Sequence, residues 1–387
     1  MNKQKILILS YRDLQHPEMG GAEIIIHEIY RRLQAAGHQV TFLTCRFPGC
    51  SPRARIDGME VIRIGNLYNF NFEVGRYFRR HLARDGYTVL VEDLNKLPFY
   101  GPAFQKKLPV LVNIPHLFGR TVFSEAIFPL ALYVYLQEQT IPRIYRHCHF
   151  QVLSDSTRED LIRRGLSPDR IFVVRSGIDH GYYVPPPGGR TPPKPVLLYL
   201  GRLKKYKCIE FPIRILSELR AAVPGAEYWI VGEGDYRPEL ERIARECGVA
   251  GSVRLLGFKD GAEKLEILHR SRVLLYTSPK EGWGLSVIEG NATGLPCVAS
   301  DSPGLRESVQ HGQTGFLVPH GDLGALRERV QELLTDDELW RRMSTAGEAL
   351  ARRYDWDVMA RETLELIETA TGRVRTGSLA GSRPQVA

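Results

Sequence analysis

The chain has 387 residues, which is more than one typical hydrophobic core can organise, so we expect two domains. Its apolar content of 43% and charged content of 25% are typical of a soluble globular protein. The formal net charge of +8 belongs to the first half, since residues 1–175 hold 24 basic and 16 acidic residues and the remainder is neutral. This asymmetry predicts an anionic partner for the first half, unless the arginines only decorate solvated helices.

Cysteines and apolar runs bound the class of protein further. The six cysteines are scattered and form no C-x-x-C pair, which argues against a zinc site or a disulfide framework and fits a reducing compartment. The apolar residues 6–9 are too few for a secretory signal and indicate a first strand instead. The longest apolar run, residues 128–136, is interrupted by Pro129, so we expect no membrane-spanning segment. The expected location is cytoplasmic.

The first half alternates predicted strands and helices. The first strand leads to Gly20 and Gly21 and then to an amphipathic helix, so bare backbone lies at a helix start. No G-x-G-x-x-G motif is present, which weakens a dinucleotide-binding interpretation. A polar cluster over residues 92–99 and His116 each lie at the carboxyl end of a later strand, at the edge where open α/β sheets bind ligands. Further strands are predicted at residues 40–44, 60–64 and 88–92, and from residue 110.

Residues 183–195 are dense in proline and glycine and form the clearest linker. A second α/β series begins at residue 196. Two wound α/β halves joined by a stiff linker leave a cleft between them. The predicted organisation is a first domain over 1–182, the linker over 183–195, a second domain over 196–355, a last helix over 356–370 and a disordered tail over 371–387.

Residues 278–296 lie between two predicted strands and contain a helix over 284–291 that begins at glycine. Such a joint points free backbone amides and the positive helix end at one spot, which suits a phosphate. Glu281 lies in the loop and Glu289 follows eight residues later, at most ~12 Å away along a helix axis. Because carboxylates accept hydrogen bonds from sugar hydroxyls, the pattern predicts a site for a nucleoside-diphosphate sugar. The alternative is an ordinary strand–helix joint with two solvated glutamates.

Cationic side chains follow the first strand of the second half. Arg202 can bind two phosphate oxygens at once, and Lys207 adds a point charge five residues later. Their loop lies at the same end of the sheet as the two glutamates, since both loops follow the carboxyl ends of strands. Glycine turns at residues 232–234 and at Gly257, before Phe258, would let a flat base approach the backbone.

Taken together, these motifs resemble those of the retaining family-4 glycosyltransferases, whose GT-B fold has two Rossmann-like α/β domains facing across a cleft. The resemblance covers most of residues 6–370 and is densest in the second half. Its most specific part is the E-x7-E pair within E-G-W-G-L-S-V-I-E, from Glu281 to Glu289. The other matching segments are G-R-L-x-x-x-K from Gly201, G-E-G from Gly232, L-G-F from Leu256, D-S-P-G-L-R-E from Asp301 and H-G-Q-T-G-F-L-V-P from His311.

The resemblance implies a role for each matching residue. Glu281 would hold hydroxyls of the donor sugar, and Glu289 those of the ribose. Arg202 and Lys207 would neutralise the leaving diphosphate. Gly257, Phe258, Gly284 and Leu285 would complete the donor site. In the first domain, His116 would meet the donor sugar near the reacting carbon, Gly20 and Gly21 would form the glycine-rich first loop, and the helix over 356–370 would cross back to that domain.

The chemistry that the resemblance implies needs no metal and no cofactor. Arginine, lysine and the amides of Gly284 and Leu285 would stabilise charge on the leaving phosphate by fixed electrostatics. No aspartate-rich D-x-D pair in a strand-end loop suggests a divalent ion. Retention of configuration would follow from attack on the face that the nucleotide leaves, with a donor phosphate oxygen accepting the acceptor's proton.

Three positions depart from the family pattern. Cys208 stands where a glycine usually follows the lysine, which is expected to alter the loop. Gly290 and Asn291 replace the usual Ala-Met after the second glutamate, near the ribose. Ser176 replaces a common asparagine, and no role is carried over to it. None of these changes removes a charged donor ligand.

The predicted reaction is transfer of a hexose-type sugar from a UDP- or GDP-sugar to a hydroxyl acceptor, in synthesis of cell-envelope polysaccharide, glycolipid or a related glycoside. An epimerase or phosphorylase on the same fold is the alternative, and a non-catalytic binder of anionic surfaces is a remote one. No nucleic-acid-binding module is present. The first domain would bind the acceptor, lipid-linked or otherwise anionic, and associate peripherally with the inner face of a membrane, although a soluble acceptor remains open. Four arginines predicted to line one helix face carry this membrane hypothesis: Arg76, Arg79, Arg80 and Arg84.

Overall fold

The computed structural model describes residues 3–95, 97–125, 127–186 and 194–372. Its strands are β1 Lys5–Leu9, β2 Gln39–Cys45, β3 Arg53–Ile56, β4 Met59–Ile64, β5 Val89–Asp93, β6 Val110–Ile114, β7 His149–Val152, β8 Ile171–Val173, β9 Val196–Leu200, β10 Glu227–Val231, β11 Val253–Gly257, β12 Val273–Tyr276, β13 Cys297–Ser300 and β14 Gly315–Val318. Its α-helices are α1 Gly21–Ala35, α2 Phe70–Tyr77, α3 Gly101–Phe104, α4 Val122–Glu125, α5 Phe128–Gln139, α6 Ile141–Ile144, α7 Asp155–Arg163, α8 Glu210–Ala222, α9 Arg237–Glu246, α10 Gly261–Arg270, α11 Leu285–Ala292, α12 Leu305–Ser308, α13 Leu323–Thr335, α14 Asp337–Ala351 and α15 Trp356–Ala370.

The chain divides into two compact units, Met1–Gly177 together with Trp356–Ala387, and Ile178–Asp355. The first boundary lies five residues before the predicted one at 182/183. The reason is local, because the amide of Ile178 donates to the carbonyl of Tyr354 (3.3 Å), which ties the segment to the end of the second unit. Residues 187–193 of the predicted linker and 373–387 of the predicted tail lie outside the described residues.

The first unit is built on a sheet of order β3-β4-β2-β1-β5-β6-β7-β8, in which every pairing is parallel except β3 with β4. The β3–β4 hairpin turns at Asp57 and Gly58, both with positive φ, as a two-residue hairpin loop favours. Sequence analysis missed β3 because its R-A-R-I sequence has no continuous apolar run. The interior strands β1, β5 and β6 were predicted because they are apolar runs buried on both faces, whereas the interior strand β7 was not predicted.

Two layers of helices cover this sheet. Leu7 and Leu9 of β1 belong to an apolar cluster that includes residues of α2, α6 and α7, whereas the alternate residues Ile6 and Ile8 face away from it. On that other face α1 and α15 pack against each other, and α15 also contacts β6 and β7. The C-terminal helix therefore packs within the first unit.

The second unit is a six-stranded sheet of order β11-β10-β9-β12-β13-β14 with all pairings parallel. Its strand order reverses between β9 and β12, and the loops after these two strands flank the switch point where ligands bind in open α/β sheets. The prediction of two Rossmann-like α/β units is confirmed. No helix within the described ranges combines the length and apolarity needed to cross a membrane.

Candidate active site

Close backbone packing holds the loops at the carboxyl edge of the second sheet. A Cβ on Gly232 would lie 1.9 Å from the carbonyl oxygen of Gly201, and one on Gly234 would lie 2.1 Å from that of Leu203. The amide of Leu203 donates to the carbonyl of Glu233 at 3.0 Å. The G-R-L and G-E-G motifs therefore form one packed unit, in which only glycine fits at two positions.

Lys207 and Glu281 meet beside the switch point. The Lys207 ammonium lies 2.6 and 2.7 Å from the two carboxylate oxygens of Glu281, and the Ser278 hydroxyl donates to Oε1 at 2.6 Å. Each side chain of the pair is 12% exposed. Burial alone would lower the pKa of Lys207, but the charge and hydrogen bonds of Glu281 outweigh it and the pKa is raised. Lys207 is therefore a fixed cation at neutral pH.

The loop between Lys207 and Glu281 is tied down at its backbone. Cys208 has a φ of +52°, a left-handed conformation that favours glycine and explains why a glycine usually stands there. Its carbonyl accepts from the Thr277 hydroxyl at 2.7 Å. A Cβ on Gly304 would lie 2.2 Å from the carbonyl oxygen of Glu281, whose own amide donates to Pro303 at 3.0 Å. The D-S-P-G motif thus supports Glu281.

Helix α11 begins where the sequence predicted phosphate binding. Gly284 precedes it with a φ of +82°, and a Cβ there would lie 2.8 Å from the Ser308 hydroxyl, so glycine is required. The amides of Leu285 and Ser286 have no acceptor inside the helix, whereas the amide of Val287 already donates to the carbonyl of Gly284 at 2.9 Å. Trp283 is buried beside Gly284 and packs edge-on against Tyr354, with ring centroids 5.2 Å apart. The helix start is therefore held rigidly.

Glu289 is held by two residues that sequence analysis did not assign. The Tyr183 hydroxyl donates to Glu289 Oε1 at 2.7 Å, and the Lys264 ammonium lies 3.0 Å from Oε2. Lys264 also donates to the Tyr183 hydroxyl at 2.5 Å and lies 5.0 Å from the centre of its ring. Tyr183 stood at the start of the predicted linker, and no linear signal connects either residue to Glu289.

The remaining predicted donor residues lie near this edge without a common contact. Arg202 is exposed, and its guanidinium forms no ion pair or hydrogen bond with the described part of the chain, while its carbonyl accepts from the Tyr199 hydroxyl at 2.9 Å. Gly257 has a φ of +74°, and its carbonyl accepts from the amide of Gly232 at 2.8 Å. The adjacent ring of Phe258 is 65% exposed. An exposed arginine and an exposed aromatic ring can both bind a ligand.

Gly290 and Asn291, the second departure from the family pattern, face the interior. A Cβ on Gly290 would lie 2.8 Å from a methyl group of Leu274, so α11 packs closely on β12. The Asn291 amide is fully buried and makes no hydrogen bond with the residues that the structure describes. The substitution therefore affects packing behind Glu289 rather than its carboxylate.

The first-unit candidates lie at separate loops of that unit. His116 follows β6, is half-buried, and packs edge-on against Phe118 with ring centroids 5.0 Å apart. Gly20 precedes α1, and its amide donates to the Glu23 carboxylate at 2.8 Å. Gly21 opens the helix, and a Cβ there would meet nothing within 4 Å. Space for a close ligand therefore exists at Gly21.

Glu92 and Asp93, the two acids of the predicted polar cluster, end β5 and point inward instead of toward a ligand. The Glu92 carboxylate accepts from the amide of Gly101 at 2.6 Å and the Tyr145 hydroxyl at 2.7 Å. Asp93 accepts from Asn113 at 2.8 Å. Both acids are fully buried, and burial raises the pKa of each to about 7. They serve the interior of the first unit. Lys96 lies outside the described residues.

Within the described ranges, no three His, Cys, Asp or Glu side chains are grouped so that they could hold a metal ion.

Comparison with curated proteins gives relatives that the chain matches over part of their length. A glycogen synthase of Mycobacterium tuberculosis is 34% identical over 55% of this chain and 50% of its own. A phosphatidyl-myo-inositol mannosyltransferase of Mycobacterium leprae is 30% identical over 63% of this chain and 64% of its own. The aligned region thus spans about half to just under two thirds of the length of these relatives.

Solved structures match nearly the whole chain. Sucrose-phosphate synthase from Thermosynechococcus elongatus superposes with a TM-score of 0.81 at 22% identity, covering 96% of this chain and 100% of the other. Anabaena HepE, solved in complex with UDP and glucose, superposes with a TM-score of 0.75 at 18% identity, covering 95% and 100%. At these identities the likeness establishes the fold, and the predicted GT-B fold is confirmed.

Two family models cover most of the chain in tandem. Residues 19–182 match the model described as Glycosyltransferase Family 4. Residues 186–350 match the model described as Glycosyl transferases group 1. The enzyme class expected from the sequence is confirmed at the level of the family: the chain belongs to the family-4 glycosyltransferases of the GT-B fold.

Proposed function

We propose that the protein transfers a hexose-type sugar, with retention of configuration, from a UDP- or GDP-sugar to a hydroxyl acceptor. The observation that carries this proposal is a pair of carboxylates, eight residues apart, on either side of the start of α11. Glu281 is held by Lys207 and Glu289 by Lys264. Such a set offers an acceptor of hydroxyl hydrogen bonds on each side of a place suited to phosphate.

Donor binding divides between the two glutamates in this proposal. Glu281 accepts hydrogen bonds from hydroxyls of the transferred sugar, and Glu289 accepts them from the ribose. Both carboxylates are already fixed by hydrogen bonds, so a donor does not have to order them. The exposed ring of Phe258 and the backbone of Gly257 offer a surface for the base.

The cations and the start of α11 stabilise the leaving group in this proposal. The ammonium of Lys207, the guanidinium of Arg202 and the amides of Gly284 and Leu285 stabilise charge on the departing phosphate by fixed electrostatics. The acceptor hydroxyl attacks the anomeric carbon on the face that the nucleotide leaves, and its proton passes to a phosphate oxygen of the donor. No metal or cofactor takes part in this proposal, so full activity is expected in EDTA, and strict dependence on added Mn²⁺ or Mg²⁺ would contradict it.

The names of the relatives support a place in glycolipid, cell-envelope polysaccharide or related glycoside synthesis. One relative is a phosphatidyl-myo-inositol mannosyltransferase and another a glycogen synthase. The solved HepE complex contains UDP, and a further relative is a GDP-mannose-dependent mannosyltransferase. We propose a lipid-linked or otherwise anionic acceptor for the first unit, at the cytoplasmic face of a membrane. Four exposed arginines support this part: Arg76, Arg79, Arg80 and Arg84.

The decisive experiment is a thermal-shift panel of UDP, GDP, ADP and their sugars, followed by NMR of the product's anomeric proton. A ligand at a hundred times its Kd adds about 2.7 kcal/mol of stability. Release of free nucleoside diphosphate with a retained glycoside product supports glycosyl transfer. An isomerised sugar nucleotide would indicate the epimerase alternative, and a sugar 1-phosphate made from glycoside and phosphate would indicate a phosphorylase.

A further inference from the structure

Helix α5 of the first unit has an unusual distribution of side chains. The residues it buries are Ala131 and Glu138, whereas Phe128 is 68% exposed and Leu136 is 53% exposed. Apolar residues on a soluble helix normally face the core, and a contiguous exposed apolar patch usually marks an interaction surface. The exposed apolar side chains of the helix and its preceding residue are Ile127, Phe128, Leu130, Leu132, Tyr133 and Leu136.

The buried glutamate explains how this helix keeps its orientation. The Glu138 carboxylate accepts from the amides of Phe118 and Gly119, each at 2.8 Å, and lies 3.6 Å from the Arg164 guanidinium. A hydrogen-bonded and paired buried carboxylate strongly opposes rotation of the helix, because rotation would leave it unpaired. The leucines of α5 are therefore held outward by the protein and are not simply loosely packed.

A second exposed stripe combines apolar and basic residues. Tyr68, 86% exposed, precedes α2, and Phe72 within it is 71% exposed. Arg76 and Arg80 continue at the same spacing of four residues through α2 and the π-helical turn that follows it, Phe78–Leu82. A spacing of four keeps successive side chains on neighbouring parts of one helical surface. The stripe thus begins with two aromatic rings and ends in arginines.

Both elements lie on one face of the first sheet. The apolar cluster on that face contains Phe70 and Phe78 from the α2 region, and Ile141 directly after α5. Between them, Phe104 of α3 packs on Phe78 with ring centroids 5.5 Å apart, and the Tyr100 hydroxyl hydrogen-bonds to Gln137 of α5. The face therefore carries exposed apolar side chains together with exposed cations, an arrangement that we call the apolar–basic surface.

The arginines of this surface have no acidic partner among the residues that the structure describes. Within the described part of the chain, none of them forms an ion pair, in contrast to the exposed arginines of α9, such as Arg242, which pair with glutamates of their own helix. Exposed cations beside exposed apolar groups match a partner that has an apolar layer and a negative surface. The arginines are Arg76, Arg79, Arg80, Arg84 and, after α5, Arg143.

We infer that the apolar–basic surface docks on an anionic lipid bilayer, with the α5 side chains entering the interfacial layer and the arginines contacting lipid phosphates. An interfacial helix binds through its apolar face, and each basic residue near the surface adds electrostatic attraction. The charge on the surface argues against a second copy of this chain as the occupant. In a two-fold dimer the same patch meets itself, which would bring unpaired arginines together.

This inference deepens the proposed function and rests on it for one consequence: the acceptor is a lipid that stays in the membrane while its headgroup hydroxyl is glycosylated. The first unit would meet that lipid at the bilayer surface, so the lipid tail need not leave the membrane. Docking itself does not depend on catalysis and can be measured separately.

The test uses the full chain and vesicles of phosphatidylglycerol and phosphatidylcholine. All four native tryptophans, Trp229, Trp283, Trp340 and Trp356, are buried. The native tryptophans contribute a constant emission, so the change in emission of Leu136→Trp on adding vesicles reports on α5. We expect its emission to shift to the blue on anionic vesicles and to be quenched by brominated acyl chains.

A second variant separates the apolar from the electrostatic contribution. Leu132→Gln combined with Leu136→Gln should weaken vesicle binding by about tenfold or more, since each substitution removes apolar area from the lipid layer. Gln139→Ala, at an exposed position of the same helix, is the matched control and should bind as the wild type does. Binding of wild type should weaken at ~0.5 M salt, where charges are screened, but should not vanish.

The outcomes distinguish docking from the proposed function. No vesicle binding at low salt, or an unshifted tryptophan on bound protein, overturns the docking inference, whether or not thermal shifts with nucleoside diphosphates support the donor site. Concentration-dependent dimers that the double glutamine variant abolishes would identify a second copy as the occupant and also overturn it. Vesicle binding without any nucleotide-dependent thermal shift would sustain docking and remove the proposed UDP- or GDP-sugar donor.

Discussion

Replacing Lys207 and Arg202 by methionine, one at a time, separates the two cations of the candidate site. Both are proposed to stabilise the leaving phosphate, but they differ in the free protein. The Lys207 ammonium contacts both oxygens of Glu281, at 2.6 and 2.7 Å, in a pair that is only 12% exposed on each side. Arg202 is exposed and unpaired among the described residues. The two variants should therefore lose similar amounts of activity but different amounts of folding stability.

The magnitudes follow from these environments. Removing one partner of a buried ion pair costs about 3–5 kcal/mol, and some water access here places Lys207→Met near the lower end, about 3 kcal/mol. For a unit of this size that corresponds to a melting temperature lower by about 6–12 °C. Arg202→Met should melt within about 1 °C of the wild type, since no ion pair or side-chain hydrogen bond of the described residues is lost. Either variant should lose about 10²–10³ in kcat, or roughly 2.7–4 kcal/mol of transition-state stabilisation.

The assay pairs differential scanning fluorimetry with turnover at saturating donor, and includes the double variant Lys207→Met/Glu281→Gln. That variant removes the orphaned charge and should recover most of the lost stability but none of the activity. A Lys207→Met protein that melts with the wild type would show that the pair with Glu281 does not form in solution. Full activity in Arg202→Met would remove this residue from the leaving-group role.

Four further outcomes are expected. Glu289→Ala should weaken binding of the free nucleoside diphosphate, whereas Glu281→Gln should cut turnover and leave that binding nearly intact; isothermal titration that gave equal affinities would remove the division of roles. His116→Ala should lower kcat with little change in melting temperature, and normal rates or an unfolded variant would return the histidine to a structural role. Burial raises the pKa of Glu92 from 4.5 to about 7, so the free energy of unfolding of the wild type falls as the pH rises from 4.5 to 7. Urea titrations of wild type and Glu92→Gln should show that the difference between their free energies of unfolding changes by about 3 kcal/mol between pH 4 and pH 8, to the disadvantage of the wild type at pH 8. Asn291→Leu should raise the free energy of unfolding by about 1–3 kcal/mol, because it removes a buried amide without a hydrogen-bond partner in the described structure, and destabilisation would show that the amide is satisfied.

Strand ends made the core of the candidate site predictable. In a parallel sheet every strand delivers its carboxyl end to the same edge, so a cation after β9 and a carboxylate after β12 had to approach each other. The structure brings Lys207 within hydrogen-bonding distance of Glu281, although the two are 74 residues apart in the chain. The spacing also placed Glu289 inside the helix that follows.

The rest depended on packing that no local pattern encodes. Tyr183 lies 106 residues from Glu289 and belongs to a proline-rich segment whose composition predicted a linker. Composition reports that a segment cannot form regular structure, but it says nothing of a side chain anchored elsewhere. The π-helical turn after α2 was likewise invisible, because the arginine spacing was read on an α-helix. The apolar run over residues 128–136 did not predict that the structure would expose its leucines and bury Glu138 instead.

The pairing of each glutamate with a lysine sets the electrostatics that a donor would meet. Two unpaired carboxylates beside a phosphate site would repel a diphosphate. In this site Lys207 neutralises Glu281 and Lys264 neutralises Glu289, so the carboxylates keep their acceptor oxygens without leaving a net negative charge. The Arg202 guanidinium then gives the site a net positive charge, and the positive end of helix α11 adds to that charge. On the proposed function, hydroxyl recognition and diphosphate binding coexist at one sheet edge because two lysines offset the two acids.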